Sequence, residues 1–224
     1  IVKELIEAFH LCQEKEVKVI TITGIGKSFS SGGDIKLMAS IEENPKLLSE
    51  LMDDLNRLVV IIRNLDKPVV AGINGFTFGA GLGLSLACDF RIASKSSTFS
   101  CAFVNIGLVP DTGTSFFLTK LLGYGKATEL IMLGETFDAN EALKIGLVNK
   151  IVSDENLNES VQSMANKLLK KADTSLSRIK KMINKAIISD LSDQLYLEGF
   201  YQDECAKTDN FKMSIKSFIE KKKS

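Results

Sequence analysis

Residues 69–93 read VVAGINGFTFGAGLGLSLACDFRIA, and their order carries the architecture. Val69 to Ile73 is a mostly β-branched, apolar run directly after Pro68, the composition of a strand buried on both faces. Asn74-Gly75 interrupts it. Gly79 to Cys88 is small and apolar, ends at Asp89, and reads as a buried helix rather than a strand. Phe90 to Ala93 is the next strand. Strand, glycine-rich turn, helix and strand in succession imply parallel pairing through crossovers, and hence an α/β layout.

The flanks repeat the pattern. Val17 to Thr23 (VKVITIT) predicts a buried strand bounded by Gly24, followed by a loop rich in glycine and serine up to Asp34. Ile1 to Glu16 reads as an amphipathic helix, so the chain opens in mid-helix, ahead of its first strand. Pro45 to Leu65 has leucines and valines at helical spacing and predicts a long helix ending near Asn64. Downstream, Asp111 to Leu122, Lys126 to Leu133 and Asp138 to Ile145 predict three short helices, punctuated by Gly134, Gly146 and a strand at Leu147 to Val152. From about Asn156 glycine nearly vanishes, Gly199 alone remaining. The chain therefore divides into an α/β core over 1–155 and a helical region over 156–224. Leu191, Leu195, Leu197, Phe200, Phe211, Ile215 and Phe218 of that region need the core or another subunit to pack on.

The composition excludes several classes. Formal net charge is zero, which disfavours a nucleic-acid partner, and Lys221, Lys222 and Lys223 suit a solvated tail. No stretch has the roughly 18 apolar residues of a membrane helix, and no cleavable signal opens the chain. Cys12, Cys88, Cys101 and Cys205 are scattered, without the close spacing of a zinc or redox site. As reduced core residues they suit an intracellular, cytoplasmic setting.

Familiar site motifs fail one by one. Gly26-Lys27-Ser28 lacks the earlier glycine of a phosphate loop, since Thr21 stands there. Gly79, Gly81 and Gly83 miss the dinucleotide fingerprint because its last glycine falls on Leu84. The sole histidine, His10, lies on the opening helix, far in sequence from every glycine-rich loop, which leaves no Ser-His pair and no zinc set. Backbone dipoles and carboxylates remain. The two glycine-rich turns, Ser28 to Lys36 and Asn74 to Gly81, each follow a strand and lead into a helix. They suit either close helix–strand packing or a pair of backbone N–H donors aimed at one oxygen.

The wording of these turns resembles the enoyl-CoA hydratase/isomerase (crotonase) family. SFSSGGDIK at 28–36 resembles its F-x-x-G-x-D-[ILV] turn, and NGFTFGAGLGLSLACDFRIA at 74–93 its N-G-x-x-x-G-[GA]-G-x-x-L-x-x-x-C-D segment. IGLVPDTGTSFFLTKLLG at 106–123 and FDANEALKIGLVNKIV at 137–152 follow in family order, and Phe211 to Lys222 resembles its terminal tail. The family's first hairpin and asparagine-rich turn belong ahead of Ile1.

The resemblance implies a crotonase-like spiral of ββα units with a helical C-terminal trimerisation region, assembled as a homo-trimer or dimer of trimers. It implies an acyl-CoA thioester as substrate, with coenzyme A entering as part of that substrate, and neither a separate cofactor nor a metal. By position, the thioester oxygen falls to the N–H groups of Gly33 and Ala80. Ser31, Gly33 and Ile35 line the groove for adenine and pantetheine, and Lys36 or Lys221 meets the CoA phosphates. Asp34 is a turn-forming, helix-capping residue of the same loop. Phe78, Gly79, Gly83, Phe103 and Pro110 are further substrate-contacting positions.

The oxyanion donors name the substrate class and leave the reaction open. Hydratases of the family carry glutamates at the positions of Gly83 and Phe103, so both are missing here. The carboxylate present is Asp111, after Pro110, where some enoyl-CoA isomerases of the family have their single acid. One carboxylate in a dry pocket suffices to move a proton between carbons two apart, with Phe103 and Phe78 keeping water out. Asp111 also suits a helix N-cap ahead of Thr112-Gly113-Thr114. The readings are thus an isomerase using Asp111, a hydratase with atypical acid/base groups, or an acyl-CoA-binding protein without turnover. Aryl-CoA dehalogenation needs a nearby histidine, which His10 does not supply, and a serine protease on a related core lacks its Ser/His pair.

Overall fold

The computed structural model describes residues 1–34, 38–39 and 46–221, the last of these by its backbone alone. Helix α1 (Val2–Leu11) precedes β1 (Ile20–Thr23) and β2 (Ser28–Ser30). Then come α2 (Lys46–Asn64), β3 (Val69–Ile73), β4 (Phe76–Phe78) and α3 (Ala80–Ala87). They are followed by β5 (Phe90–Ser94), β6 (Thr98–Ser100), a 3₁₀ turn (Ala102–Ile106) and α4 (Thr114–Leu133). Strands β7 (Thr136–Asp138) and β8 (Lys150–Val152) flank α5 (Ala139–Lys144). The rest is helical: α6 (Leu157–Leu169), α7 (Asp173–Ala186), α8 (Leu191–Ala206) and α9 (Asp209–Lys221).

The strands form two sheets, ordered β1-β3-β5-β8 and β2-β4-β6-β7. Every pairing is parallel except β6 with β7. The first three turns of the chain each lay one strand in each sheet and return through a helix, the expected spiral of ββα units, while in the last a helix separates β7 from β8. Alternation along the central strand explains its uniform burial. Val69, Ala71 and Ile73 enter the main core with Ile62 and Leu82, while Val70 and Ile92 pack under Leu157, Val161 and Leu168 of α6.

Differences from the sequence reading have local causes. The first strand starts at Ile20, not Val17, because its partner begins at Val69 and the Pro68 carbonyl already takes the Ile20 N–H. The strand expected from Leu147 starts at Lys150, since the N–H groups of Leu147 and Val148 turn back to the Ala142 carbonyl. The helix expected from Asp111 begins at Thr114, because Thr112 and Gly113 both adopt positive φ. It then runs into the next helix across a break at Gly123 (φ 78°, ψ 167°).

Among the described residues, helices α8 and α9 bury none in the single chain, and Leu191, Leu195, Phe200, Phe211, Ile215 and Phe218 face outward. Among the described residues, no helix is long and apolar enough to cross a membrane.

The two sheets are clasped at Asn74-Gly75. The Asn74 side chain accepts from the Gly24 N–H (3.1 Å) and donates to the Gly26 carbonyl (3.0 Å). A Cβ on Gly75 would stand 1.9 Å from the Lys27 carbonyl oxygen, which is backbone and cannot step aside. Gly75→Ala is therefore expected to lower stability by about 1–3 kcal/mol, the usual cost of overpacking, measurable by urea unfolding.

Candidate active site

Tight backbone contacts bring the two glycine-rich turns together. A Cβ on Gly81 would fall 2.3 Å from the Ser30 carbonyl oxygen, so α3 sits directly on β2. The Gly32 Cα faces Phe78 to Ala80: a Cβ there would lie 3.0 Å from the Phe78 carbonyl oxygen and 3.8 Å from the Ala80 nitrogen. Gly79 holds φ 53° and ψ −124°, a conformation that L side chains rarely adopt, and donates its N–H to the Ser100 carbonyl at 3.0 Å. That twist aims the start of α3 at the first turn.

Gly79 caps α3 without a side chain, so the helix's first N–H groups are left to other acceptors. Among the described residues, neither the Ala80 N–H nor the Gly33 N–H has an intramolecular acceptor. Ala80 is the first residue of α3, where the helix dipole favours negative charge. The two donors thus lie on abutting turns. Met38 covers Gly33, with its methyl group 2.2 Å from where a Cβ would stand. Ser31 and Asp34 are exposed at the edge of the turn, and the Asp34 carbonyl accepts the Met38 N–H at 2.9 Å. Ile35 and Lys36 lie outside the described residues, and Lys221 ends α9 with its side chain outside them.

Phe103 is buried, and its ring would stand 3.8 Å from a Cβ on Gly79. Phe78 is half-buried, with its ring 5.6 Å from that of Phe76. Pro110 and Asp111 are half-buried where the chain leaves the 3₁₀ turn. Asp111 does not cap α4 with its side chain: Gly113 is the N-cap, and the Thr114 N–H goes to the Asp111 main-chain carbonyl at 2.9 Å. The Asp111 carboxylate accepts the Thr112 hydroxyl at 2.8 Å, and that hydroxyl lies 3.4 Å from the Ala80 carbonyl oxygen. A single hydroxyl therefore separates the carboxylate from the residue that carries one donor. Burial pushes the Asp111 carboxyl above the usual carboxylate range, and the Thr112 bond pulls back only part of the way.

Two residues of this corner escaped the sequence reading. Thr112 and Thr114 are buried, and both hydroxyls press on Gly83, where a Cβ would stand 2.2 Å and 2.6 Å from them. The pattern T-G-T after Pro-Asp was visible, but nothing in it announces a left-handed threonine. A cavity of about 370 Å³ lies at the other end of α3, lined by Leu86, Cys88, Phe117 and Ile183, and none of the turn residues borders it. Of its cations, Lys180 and Arg63 are engaged on Asp89 and Arg91 on main-chain carbonyls. The cysteines are free, and burial pushes the thiols of Cys88 and Cys101 up to about 12, so neither is a nucleophile at neutral pH.

Comparison with known proteins establishes the family and the fold. The sequence profile described as Enoyl-CoA hydratase/isomerase matches residues 1–224. A short-chain-enoyl-CoA hydratase of Clostridium acetobutylicum is 34% identical over 211 residues, 94% of this chain and 80% of its own. A trans-2-decenoyl-[acyl-carrier-protein] isomerase of Streptococcus mutans is 31% identical over 226 residues, covering 100% of this chain and 86% of its own. The crystal structure of an enoyl-CoA hydratase from Polaromonas sp. JS666 superposes with a TM-score of 0.94 at 34% identity, over 99% of this chain and 87% of that one. The fold is the crotonase fold. The chain is a member of the enoyl-CoA hydratase/isomerase family.

Proposed function

We propose that the protein shifts the double bond of an enoyl-CoA thioester, with Asp111 carrying the proton between carbons. The observation that supports it is the Asp111 carboxylate, one hydroxyl away from the Ala80 carbonyl, while Gly83 and Phe103 supply no second acid. The Gly33 and Ala80 N–H groups hold the thioester oxygen. Asp111 removes a proton from the substrate, the electrons delocalise into a dienolate whose oxygen those donors stabilise, and Asp111 returns the proton two carbons away. No proton is gained or lost overall, so one group suffices. Phe103 and Phe78 keep the dienolate dry.

Coenzyme A runs past Ser31, Gly33 and Ile35, with its phosphates toward Lys36 or Lys221. The active form is a homo-trimer or dimer of trimers, built by the outward-facing apolar residues of α8 and α9.

The test is a paired assay. A 3-enoyl-CoA is expected to gain the absorbance of a conjugated 2-enoyl thioester, while crotonyl-CoA loses its own only slowly. Relatives named as hydratases favour the second reading, hydration with other acid/base groups. Fast loss of crotonyl-CoA absorbance without migration of a 3-enoyl double bond would establish that reading instead. Binding without turnover of either ester would overturn both.

A further inference from the structure

The turn that carries Asp111 is built around a residue in a costly conformation. Thr112 has φ 49° and is the one non-glycine residue with positive φ among those described, although it is β-branched. Such a conformation persists where surrounding contacts enforce it. Thr112 is 1% exposed, and its hydroxyl has a single proton to donate. The 2.8 Å contact to Asp111 Oδ1 takes that proton in preference to the 3.4 Å contact to the Ala80 carbonyl. The neighbouring Thr114 is fully buried, yet its hydroxyl has no partner. Both hydroxyls rest against Gly83, where any side chain would collide with them.

We propose that Thr112 is the positioning residue for the Asp111 carboxylate, kept in its left-handed conformation by the bare backbone of Gly83. The proposal rests on Asp111 being the proton carrier. By holding Oδ1, Thr112 fixes the rotation of the carboxylate about its Cβ–Cγ bond. A group that takes a proton at one carbon and returns it two carbons away needs its carrying oxygen kept on one path. The bond also favours the ionised form, offsetting part of the burial that raises the carboxyl. Thr114 makes no such bond, and it serves as the internal control.

The experiment measures kcat and KM against pH for a 3-enoyl-CoA with the full chain and five variants. Thr112→Val keeps the shape and loses the donor. It is expected to lower kcat about tenfold, leave KM nearly unchanged, and move the acid limb of the kcat profile to higher pH. Thr112→Ser, which keeps the hydroxyl, restores both, and Thr114→Val alters neither. Should Thr112→Val not fold, Gly83→Ala supplies the same test, because its methyl group drives the Thr112 hydroxyl off Asp111. Wild-type kcat and acid limb in folded Thr112→Val, or in Gly83→Ala, overturn the proposal. So does equal impairment of Thr112→Ser and Thr114→Val, which marks a packing role. Parallel measurement of Asp111→Asn separates the two claims. An active Asp111→Asn sinks the proton-carrier reading itself, whereas an inactive one beside an unaffected Thr112→Val sinks only the role of Thr112.

Discussion

Replacing Asp111 by asparagine is expected to lower kcat for double-bond migration by about a thousandfold while the protein stays folded. Positioned acid/base groups contribute roughly 10²–10⁴-fold, and here one group performs both proton transfers, so the loss falls well inside that range. Asparagine keeps the size and the acceptor oxygen that takes the Thr112 hydroxyl, so the turn retains its shape. KM should change little, because the thioester is held by backbone donors elsewhere. The pH dependence follows from the raised carboxyl. Asp111 must be ionised to accept a proton, so kcat of the unaltered protein rises through an acid limb lying above the ordinary carboxylate value of about 4. The sign for stability is the reverse. A carboxyl raised in the folded state binds its proton more tightly folded than unfolded. Asp111 therefore detracts from stability as pH climbs from the unfolded value through the folded one. At neutral pH the asparagine variant should thus unfold at an equal or higher temperature than the parent. A variant of parental stability with kcat within threefold of the parent would remove Asp111 from the chemistry.

Strands β3 and β5 and the helix between them were legible in the sequence, because a run of buried apolar residues and a glycine-rich turn leave few alternatives. The second sheet was not. Its strands β2, β4, β6 and β7 have three residues each, too few for a period of two to register, and Ser28–Ser30 looks like part of a loop. Gly33, Ala80 and Asp111 are nominated by the order of family motifs rather than by periodicity. What the sequence could not tell was how Asp111 is held. The positive φ at Thr112 depends on Gly83, which approaches it from another turn of the spiral, and no local pattern encodes that meeting. Asp89 was equally opaque, since it reads only as the polar end of an apolar helix.

Asp89→Ala is expected to cost about 3–5 kcal/mol of stability, the range for removing one partner of a buried ion pair. Its carboxylate accepts the Val69 N–H at 2.8 Å and the Lys180 ammonium at 2.8 Å, with an Arg63 nitrogen at 3.5 Å. Lys180 is 5% exposed at its side chain and spends its other protons on the Ile62 and Lys67 carbonyls, at 2.9 Å and 3.0 Å. One lysine of α7 thus fastens the end of α2, the approach to β3 and the segment between α3 and β5. Arg63 adds a bond to the Ala87 carbonyl at the last turn of α3 and exchanges bonds with Asn184 of α7. Burial pulls the pKa of Lys180 below that of a free lysine, against the opposing pull of Asp89. Without the carboxylate, two cations remain in a desolvated corner with no counter-charge. Lys180→Met should cost less, because Asp89 then keeps both Arg63 and the Val69 N–H while the methionine packs against Leu176 and Ile183 along the adjoining cavity. Asp89→Asn should fall between the two. Urea unfolding of the three variants reads the order directly. If the lysine variant proved the least stable, α7 would be held by the lysine's bonds to Ile62 and Lys67 rather than by the charge at Asp89. If all three lost under about 1 kcal/mol, water would have to reach the cluster well enough to replace its ion pairs.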